Sequence, residues 1–298
     1  MDPSIMRRAA DPAAWVSASS YLRPAHLVDS SWHEHAAFLS WLIGTQRPGV
    51  FVELGTHNGY SFFAACDAIV RHGVPATAHA VDTWLGDDQA GFYDDSVYKS
   101  VQRINAEYAS FTTLHRMTFD QALDRLDDHS VDLLHIDGRH GYDDVRHDFE
   151  SWLPKVSDRG IVIMHDVAER KDGFGVWQFW EELTERYPAF AFEHNHGLGV
   201  VGVGSRLDPL MVGFFEAAEA AGDEIRKTYA RIGGDIEREY QQRLEIVTLA
   251  QLVEQAERRV ADVRAECLGL EQQLAALQAS TSWKVTAPAR WFTSLARR

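Results

Sequence analysis

The chain has 298 residues, 45% of them hydrophobic, enough for one good core with material left over. Its formal net charge of -15 argues against unspecific nucleic-acid binding, because phosphates would be repelled by most of the surface. Cys66 and Cys267 lie too far apart in sequence to suggest a disulfide framework or a thiolate metal site, and no apolar stretch approaches the roughly 20 residues that span a bilayer.

The opening residues lack the continuous apolar run of a secretion signal, so a cytoplasmic protein is expected. Residues 1–30 read as an N-terminal segment. From 31 to 205, apolar runs alternate with helical patterns. "SWHEHAAFLSWLIG" predicts a helix from a Ser cap to Gly44. "GVFVELG" predicts a buried strand, followed by a helix from about Gly59 to Arg71. "TAHAVD" and "TTLHRM" read as strands, "QALDRL" as helix, "SVDLLHID" as strand and "YDDVRHDFESWL" as helix. "GIVIMHD" is a fifth strand, "VWQFWEELTERY" a helix, and "FAFEHNHGLGVVGVG" a terminal hairpin. This alternation implies a doubly wound, mostly parallel α/β sheet of Rossmann-like type, covered on both faces.

After Ser205 the composition changes. Residues 206–279 contain one proline, Pro209, and Val253, Ala256, Val260, Val263, Cys267, Leu270, Leu274 and Leu277 step alternately by three and four. That is the a/d seam of a coiled coil, so a homo-oligomer through this helical extension is expected; a helix folding back on the domain is the alternative. The tail, "STSWKVTAPARWFTSLARR" (280–298), has four Lys or Arg and no acid. It reads either as a contact element for an acidic partner or a membrane surface, or as a frayed terminus.

"VELGTHNGYS" ends a strand in a glycine turn. A dinucleotide fingerprint needs glycines at the first, third and sixth positions, and His57 stands where the second would be. The turn suits a cofactor without phosphates. Backbone can approach a ligand at Glu53 and Gly55, and the following helix offers N–H groups to one carboxylate. Ser61 adds a hydroxyl. Asp82, ending the next strand, can accept ribose hydroxyls. A carboxylate at the turn and a ribose on the acid describe S-adenosylmethionine; a plain strand-to-helix turn is the alternative.

"VELGTHNGYS" resembles the first motif of class I methyltransferases, especially the catechol O-methyltransferase type. "AVDTW", "LLHIDGRHGYDDVRHDFESWLP" and "GIVIMHD" resemble a bacterial family grouped with metal-assisted sugar O-methyltransferases, over roughly residues 45–200. The resemblance implies that Glu53, Gly55 and Ser61, with Thr56 and Gly59 of the turn, and Asp82 contact S-adenosylmethionine. It implies that Trp84 and the Thr118, Phe119, Asp120 segment lie near adenine.

Asp137 and Asp166 end the fourth and fifth predicted strands, on the carboxyl edge where such sheets bind ligands. If the strands are neighbours, about 4.8 Å apart, the carboxylates repel unless one is protonated or a cation bridges them. Mg²⁺ bound by Asp137 and Asp166 would relieve the conflict and acidify an acceptor hydroxyl, with Asp137 thereby part of the catalytic apparatus; a helix-capping acid beside a solvated one is the alternative. His140 is placed to take the proton, where the catechol-type enzymes carry a lysine. The resemblance also implies an asparagine ligand where this chain has Val167. His165 could substitute only if the strand has ended, since strand neighbours face opposite sides.

Phe174, Trp177 and Trp180 read as core at helical spacing, with a sugar-stacking platform as the alternative. His194 and His196 read as one side of a strand, lining an acceptor pocket or inert. Residues 82–95 read as a mobile loop, with Asp87 and Asp88 as acceptor contacts. The expected activity is S-adenosylmethionine-dependent O-methylation of a saccharide or glycosylated product, in surface polysaccharide biosynthesis, with the substrate class implied by the resemblance. The tail would hold the enzyme near a glycosyltransferase or at the inner membrane. A nicotinamide-dependent oxidoreductase and a non-catalytic ligand-binding adaptor are the alternatives.

Overall fold

The structure, a computed structural model, describes residues 12–87 and 91–290. Short 3-10 turns at Pro12–Ala14, Ala18–Tyr21 and His33–His35 precede α1 (Ala36–Gln46), β1 (Val50–Leu54), α2 (Tyr60–Arg71) and β2 (Thr77–Asp82). β3 (Gly86–Asp87), β4 (Gly91–Phe92), α3 (Asp95–Asn105), β5 (Thr112–Arg116), α4 (Phe119–Ala122) and β6 (Val131–Ile136) follow. The rest are α5 (Tyr142–Trp152), β7 (Val156–His165), α6 (Val176–Thr184), β8 (Ala189–Phe192), β9 (Leu198–Gly202), α7 (Pro209–Ala279) and α8 (Thr281–Val285).

Seven strands form one sheet in the order β5-β2-β1-β6-β7-β9-β8, and β3 pairs with β4 separately. The first five are parallel, while β9 runs antiparallel to both β7 and β8. The doubly wound sheet with a terminal hairpin is as expected. A strand covered on both faces buries nearly every side chain, and β6 is buried at every position, Asp132 and His135 included. On one face lie α1, α2 and the first turns of α7, where Phe38, Trp41, Phe62, Phe214 and Tyr229 share a core. On the other lie α5 and α6, with Phe149, Trp152 and Phe179.

Three element boundaries differ from expectation for identifiable reasons. α1 continues past Gly44 to Gln46 and ends at Arg47, whose φ of 50° is left-handed; a Cβ at Gly44 would lie 3.2 Å from the His72 ring, so this glycine makes room for a neighbour. α3 was not expected, although Val97, Tyr98, Val101 and Ile104 recur at helical spacing and pack on the core; it starts where the Asp94 side chain accepts from Ser96 N at 2.8 Å. Packing continues past the boundary expected at 205/206. The first compact unit ends at Glu239, because the start of α7 buries Met211, Phe214, Ile225, Tyr229 and Ile236. The Tyr229 hydroxyl donates to Trp15 O (2.7 Å) and lies 2.9 Å from Ser20 Oγ, tying residues of the N-terminal segment into the same unit.

The helix is interrupted at Ala221 (φ -134°, ψ 27°). From Tyr240 the chain forms a second unit. Of the tail, α8 and the residues to Arg290 are described; 291–298 lie outside the described residues. Among the described residues no helix is long and apolar enough to cross a membrane.

Candidate active site

The crossover direction reverses between β1 and β6, and at such a point a crevice opens beyond the carboxyl ends of the strands. Here the two strand ends touch backbone to backbone. Asp137 N donates to Leu54 O at 2.8 Å, and a Cβ on Gly55 (φ 89°) would lie 1.9 Å from the Asp137 carbonyl oxygen. Only glycine fits there. Asp82 braces the same turn: its Oδ2 accepts from Thr56 N (2.9 Å) and His57 N (2.8 Å), and its Oδ1 from Trp84 N (2.6 Å). A carboxylate offers about four acceptor positions, so Asp82 keeps little of the capacity expected for ribose.

A cavity of about 680 Å³ opens over this turn. Of the residues expected to contact the cofactor, Gly55, Thr56, Gly59, Ser61, Asp82 and Phe119 are on its wall. Gly59, at the N-cap of α2, brings no side-chain hydrogen bond to that helix start. The buried Thr56 Oγ1 has no hydrogen-bond partner among the described residues.

Three expected cofactor residues are not on the wall. Glu53 is fully buried beneath it, with Oε2 2.8 Å from His135 Nδ1; burial pushes its carboxyl up, against the pull of His135. Trp84 is also fully buried, its indole N–H donating to His57 O at 2.9 Å. Asp120 faces outward to His147, 2.8 Å away. Trp84 turns inward because its φ of 51° reverses the chain after β2. Asp120 follows the capping residue Thr118 into the first turn of α4, where the inward position goes to Phe119.

Asp137, His140, His165 and Asp166 stand on the same wall. β6 and β7 are neighbours, so the two acids end adjacent strands. His140 Nε2 lies 3.0 Å from Asp166 Oδ2, and its ring stacks on Phe174 at 4.7 Å with 3° between the planes. His165 Nδ1 lies 3.4 Å from Asp137 Oδ1 and 3.3 Å from Asp166 Oδ2. Its Nε2 lies 3.3 Å from Asn195 O. Both ring nitrogens thus face oxygen acceptors, an arrangement that favours the doubly protonated imidazolium.

The electrostatics agree. Burial opposes a charged His165, but Asp137 and Asp166 overcome it and push its pKa up to about 10. Burial likewise opposes ionised carboxylates, yet His140 and His165 hold Asp166, and His165 chiefly holds Asp137, below the usual range. Trp32, 1% exposed, packs its ring against His135, His35 and His165 and backs this cluster. Nothing in the spacing of "SSWHEH" signals that role.

Phe174, expected in the core with Trp180, is instead on the cavity wall; Trp180 is buried and Trp177 carries the Arg170 guanidinium 4.3 Å above its ring. His194 and His196 do not share a strand face. They lie in the turn between β8 and β9, where Asn195, His196 and Gly197 all have positive φ. The turn sends His196 to the cavity and a 2.9 Å contact with Glu169, while His194 packs on His35. Glu169 also meets Lys171 at 2.9 Å; Lys171 and His196 hold its carboxyl down to about 2. Asp87 is on the wall, and Asp88 lies outside the described residues.

Residues 52–167 match a family model described as a methyltransferase domain. A curated relative, the uncharacterised protein y4gI of Sinorhizobium fredii, is 47% identical over 182 residues, covering 60% of this chain and 20% of the relative. The chain thus spans about a fifth of that protein's length. Among solved structures, the O-methyltransferase TomG of Streptomyces achromogenes, in complex with SAM, is 17% identical over 68% of this chain and 91% of its own, with a TM-score of 0.45. The SAH-bound methyltransferase PaMTH1 of Podospora anserina is 12% identical over 68% and 88%, with a TM-score of 0.44.

Proposed function

We propose, on the premise that residues 52–167 are a methyltransferase domain, that the chain transfers the methyl group of S-adenosylmethionine to a hydroxyl of a saccharide or glycosylated product in surface polysaccharide biosynthesis. The observation that carries the chemistry is the pairing of His140 with Asp166, 3.0 Å apart, in the cavity that opens over the Gly55 turn. The residues fit the donor. Its carboxylate meets the uncapped start of α2, the buried Thr56 hydroxyl gains a partner, and the Phe119 ring offers a face to adenine. Asp29, Asp82, Asp87, Asp137, Asp166 and Glu169 on the walls favour a sulfonium cation and repel a pyrophosphate, which disfavours the nicotinamide reading.

In the transfer, the acceptor oxygen attacks the methyl carbon, the carbon–sulfur bond breaks with its electron pair passing to sulfur, and the hydroxyl proton goes to His140. The stack on Phe174 fixes the ring plane, and such positioning supplies much of the acceleration. The polar groups of His196, Glu169 and Lys171 on the same wall suit a hydroxyl-rich acceptor.

A second reading is favoured by one observation: Asp137, His140 and Asp166 offer ligand atoms within 4.8 Å of one another. A bound divalent cation such as Mg²⁺ would lower the pKa of the acceptor hydroxyl. The two carboxylates fit a hard ion, whereas a nitrogen ligand does not suit Mg²⁺. His165, between the acids, supplies a positive charge where the cation was expected.

Calorimetric titration with S-adenosylhomocysteine and with NADH, followed by transfer of labelled methyl from S-adenosylmethionine to a bacterial surface-glycan fraction, tests the proposal. Heat with the first ligand and label in the glycan are expected. Heat with NADH alone would move the chain to the oxidoreductase reading; binding without label would make it an adaptor.

A further inference from the structure

In the second unit, the seam of alternating threes and fours begins at Ile246 and Leu249, before the residues first read from the sequence, and runs to Leu277. Its large apolar members, Ile246, Leu249, Val253, Val260, Val263, Leu270, Leu274 and Leu277, are each between 49% and 66% exposed. The stripe is about 48 Å long at about 1.5 Å per residue. An exposed apolar stripe of that length needs a covering partner.

We propose that the partner is a second copy of this chain, running antiparallel about a two-fold axis between Ala261 and Asp262. In that register every seam position is matched. Ile246 meets the partner's Leu277, Leu249 the partner's Leu274 and Val253 the partner's Leu270. Ala256 meets the partner's Cys267, small against small, and Val260 the partner's Val263. Such self-complementary pairing is what a two-fold interface requires.

The flanking charges select this arrangement. Glu257, Arg259, Arg264 and Glu266 occupy the positions beside the seam and are exposed. In the antiparallel register Arg259 faces the partner's Glu266 and Glu257 the partner's Arg264, each pair occurring twice by symmetry. In a parallel, in-register dimer Arg259 would face the partner's Arg264, and Glu266 the partner's Glu271. Antiparallel shifts of one heptad set Arg264 and Glu266, or Arg259 and Glu257, against their own copies. The β-branched residues at Ile246, Val253 and Val260, with leucine at Leu249, Leu270 and Leu277, suit a two-stranded assembly and alone lean to the parallel form. The flanking charges oppose that orientation in every central heptad.

The whole 298-residue chain tests this directly. Sedimentation equilibrium should give twice 33.6 kDa. Arg259→Glu should weaken the dimer roughly tenfold by placing acid against Glu266 in both symmetric pairs, and adding Glu266→Arg should restore it. Under mild oxidation with diamide, wild type should form no disulfide between the exposed Cys267 residues. Ala256→Cys should cross-link efficiently, with peptide mapping joining position 256 to the partner's Cys267. A monomer at tens of micromolar, a wild-type Cys267–Cys267 cross-link, or tighter association of Arg259→Glu would each overturn the proposal, the last two in favour of a parallel pair.

Discussion

His165 Nδ1 lies 3.3 Å from the carboxylate of Asp166, its neighbour in sequence, although consecutive residues of a strand face opposite sides. The geometry is possible because β7 ends at His165 and Asp166 takes a left-handed φ of 62°. The imidazolium then lies between two acids that would otherwise repel. His165→Asn should cost about 3 kcal/mol, the usual consequence of removing one partner from a buried charge cluster. The loss depends on pH. With the folded pKa raised from 6.5 to about 10, this stabilisation is full below about 6.5 and vanishes as pH rises through about 10. Denaturant unfolding of wild type and variant at pH 6, 8 and 10 should show the gap closing.

His140 should govern turnover and not cofactor binding. His140→Ala is expected to lower kcat by about a hundredfold or more while the S-adenosylhomocysteine Kd stays within about twofold. Burial opposes a charged ring, but the Asp166 hydrogen bond and the charges of Asp166 and Asp137 outweigh it and raise the pKa above 6.5; His165 pulls the other way. A base must be neutral, so kcat should rise with pH through that raised value. Asp166→Asn should move the acid limb to lower pH.

Chelation separates the two ways of balancing the acids. With His165 as the counter-charge, turnover should survive a large excess of EDTA, measured by methyl transfer. Loss of activity, recovered with Mg²⁺ or Mn²⁺, would assign Asp137 and Asp166 to a cation.

The parts of this site visible in the sequence are those a strand-end pattern dictates. Asp137 and Asp166 close apolar runs, and parallel strands bring such ends to one edge. Gly55 and Gly59 punctuate a strand-to-helix turn that needs positive φ. What stayed hidden depends on local reversals. His165, Trp84 and His196 change sides because a left-handed residue lies at or beside each of them, and periodicity cannot foresee that. Phe174 was misplaced for a related reason: α6 begins at Val176, so its apparent helical spacing with Trp177 is accidental. The Trp32 support depends on contacts between distant segments, which leave no mark in a short window.

Gly55→Ala should be severely destabilising, by about 3 kcal/mol or more, because its Cβ would collide with the Asp137 carbonyl as well as adopt an unfavourable φ. Gly73 supplies the control. It too has positive φ, 56°, but a Cβ there meets nothing within 4 Å. Gly73→Ala should cost only about 1 kcal/mol of backbone strain. Urea midpoints of the two variants give the comparison, and equal losses would mean that the strand ends are not in contact as described.

Asp148, on α5 beneath Gly138, offers the opposite pH sign. Burial raises its pKa to about 7, with Asp144 and Asp120 adding to the rise and His147 opposing it. An acid whose folded pKa exceeds its unfolded value of 3.8 binds its proton more tightly in the native state, so ionisation costs stability. The penalty is absent below about 4, grows as pH rises, and is complete above about 7. Asp148→Asn keeps the shape and removes the charge. It should therefore stabilise the protein by on the order of 2 kcal/mol at pH 8 and have little effect at pH 4. Thermal melts at the two pH values measure this, and because Asp148 is not on the cavity wall, methyl transfer by the variant should be unchanged. A variant less stable than wild type at pH 8 would mean that the carboxylate makes a favourable contact that outweighs its burial.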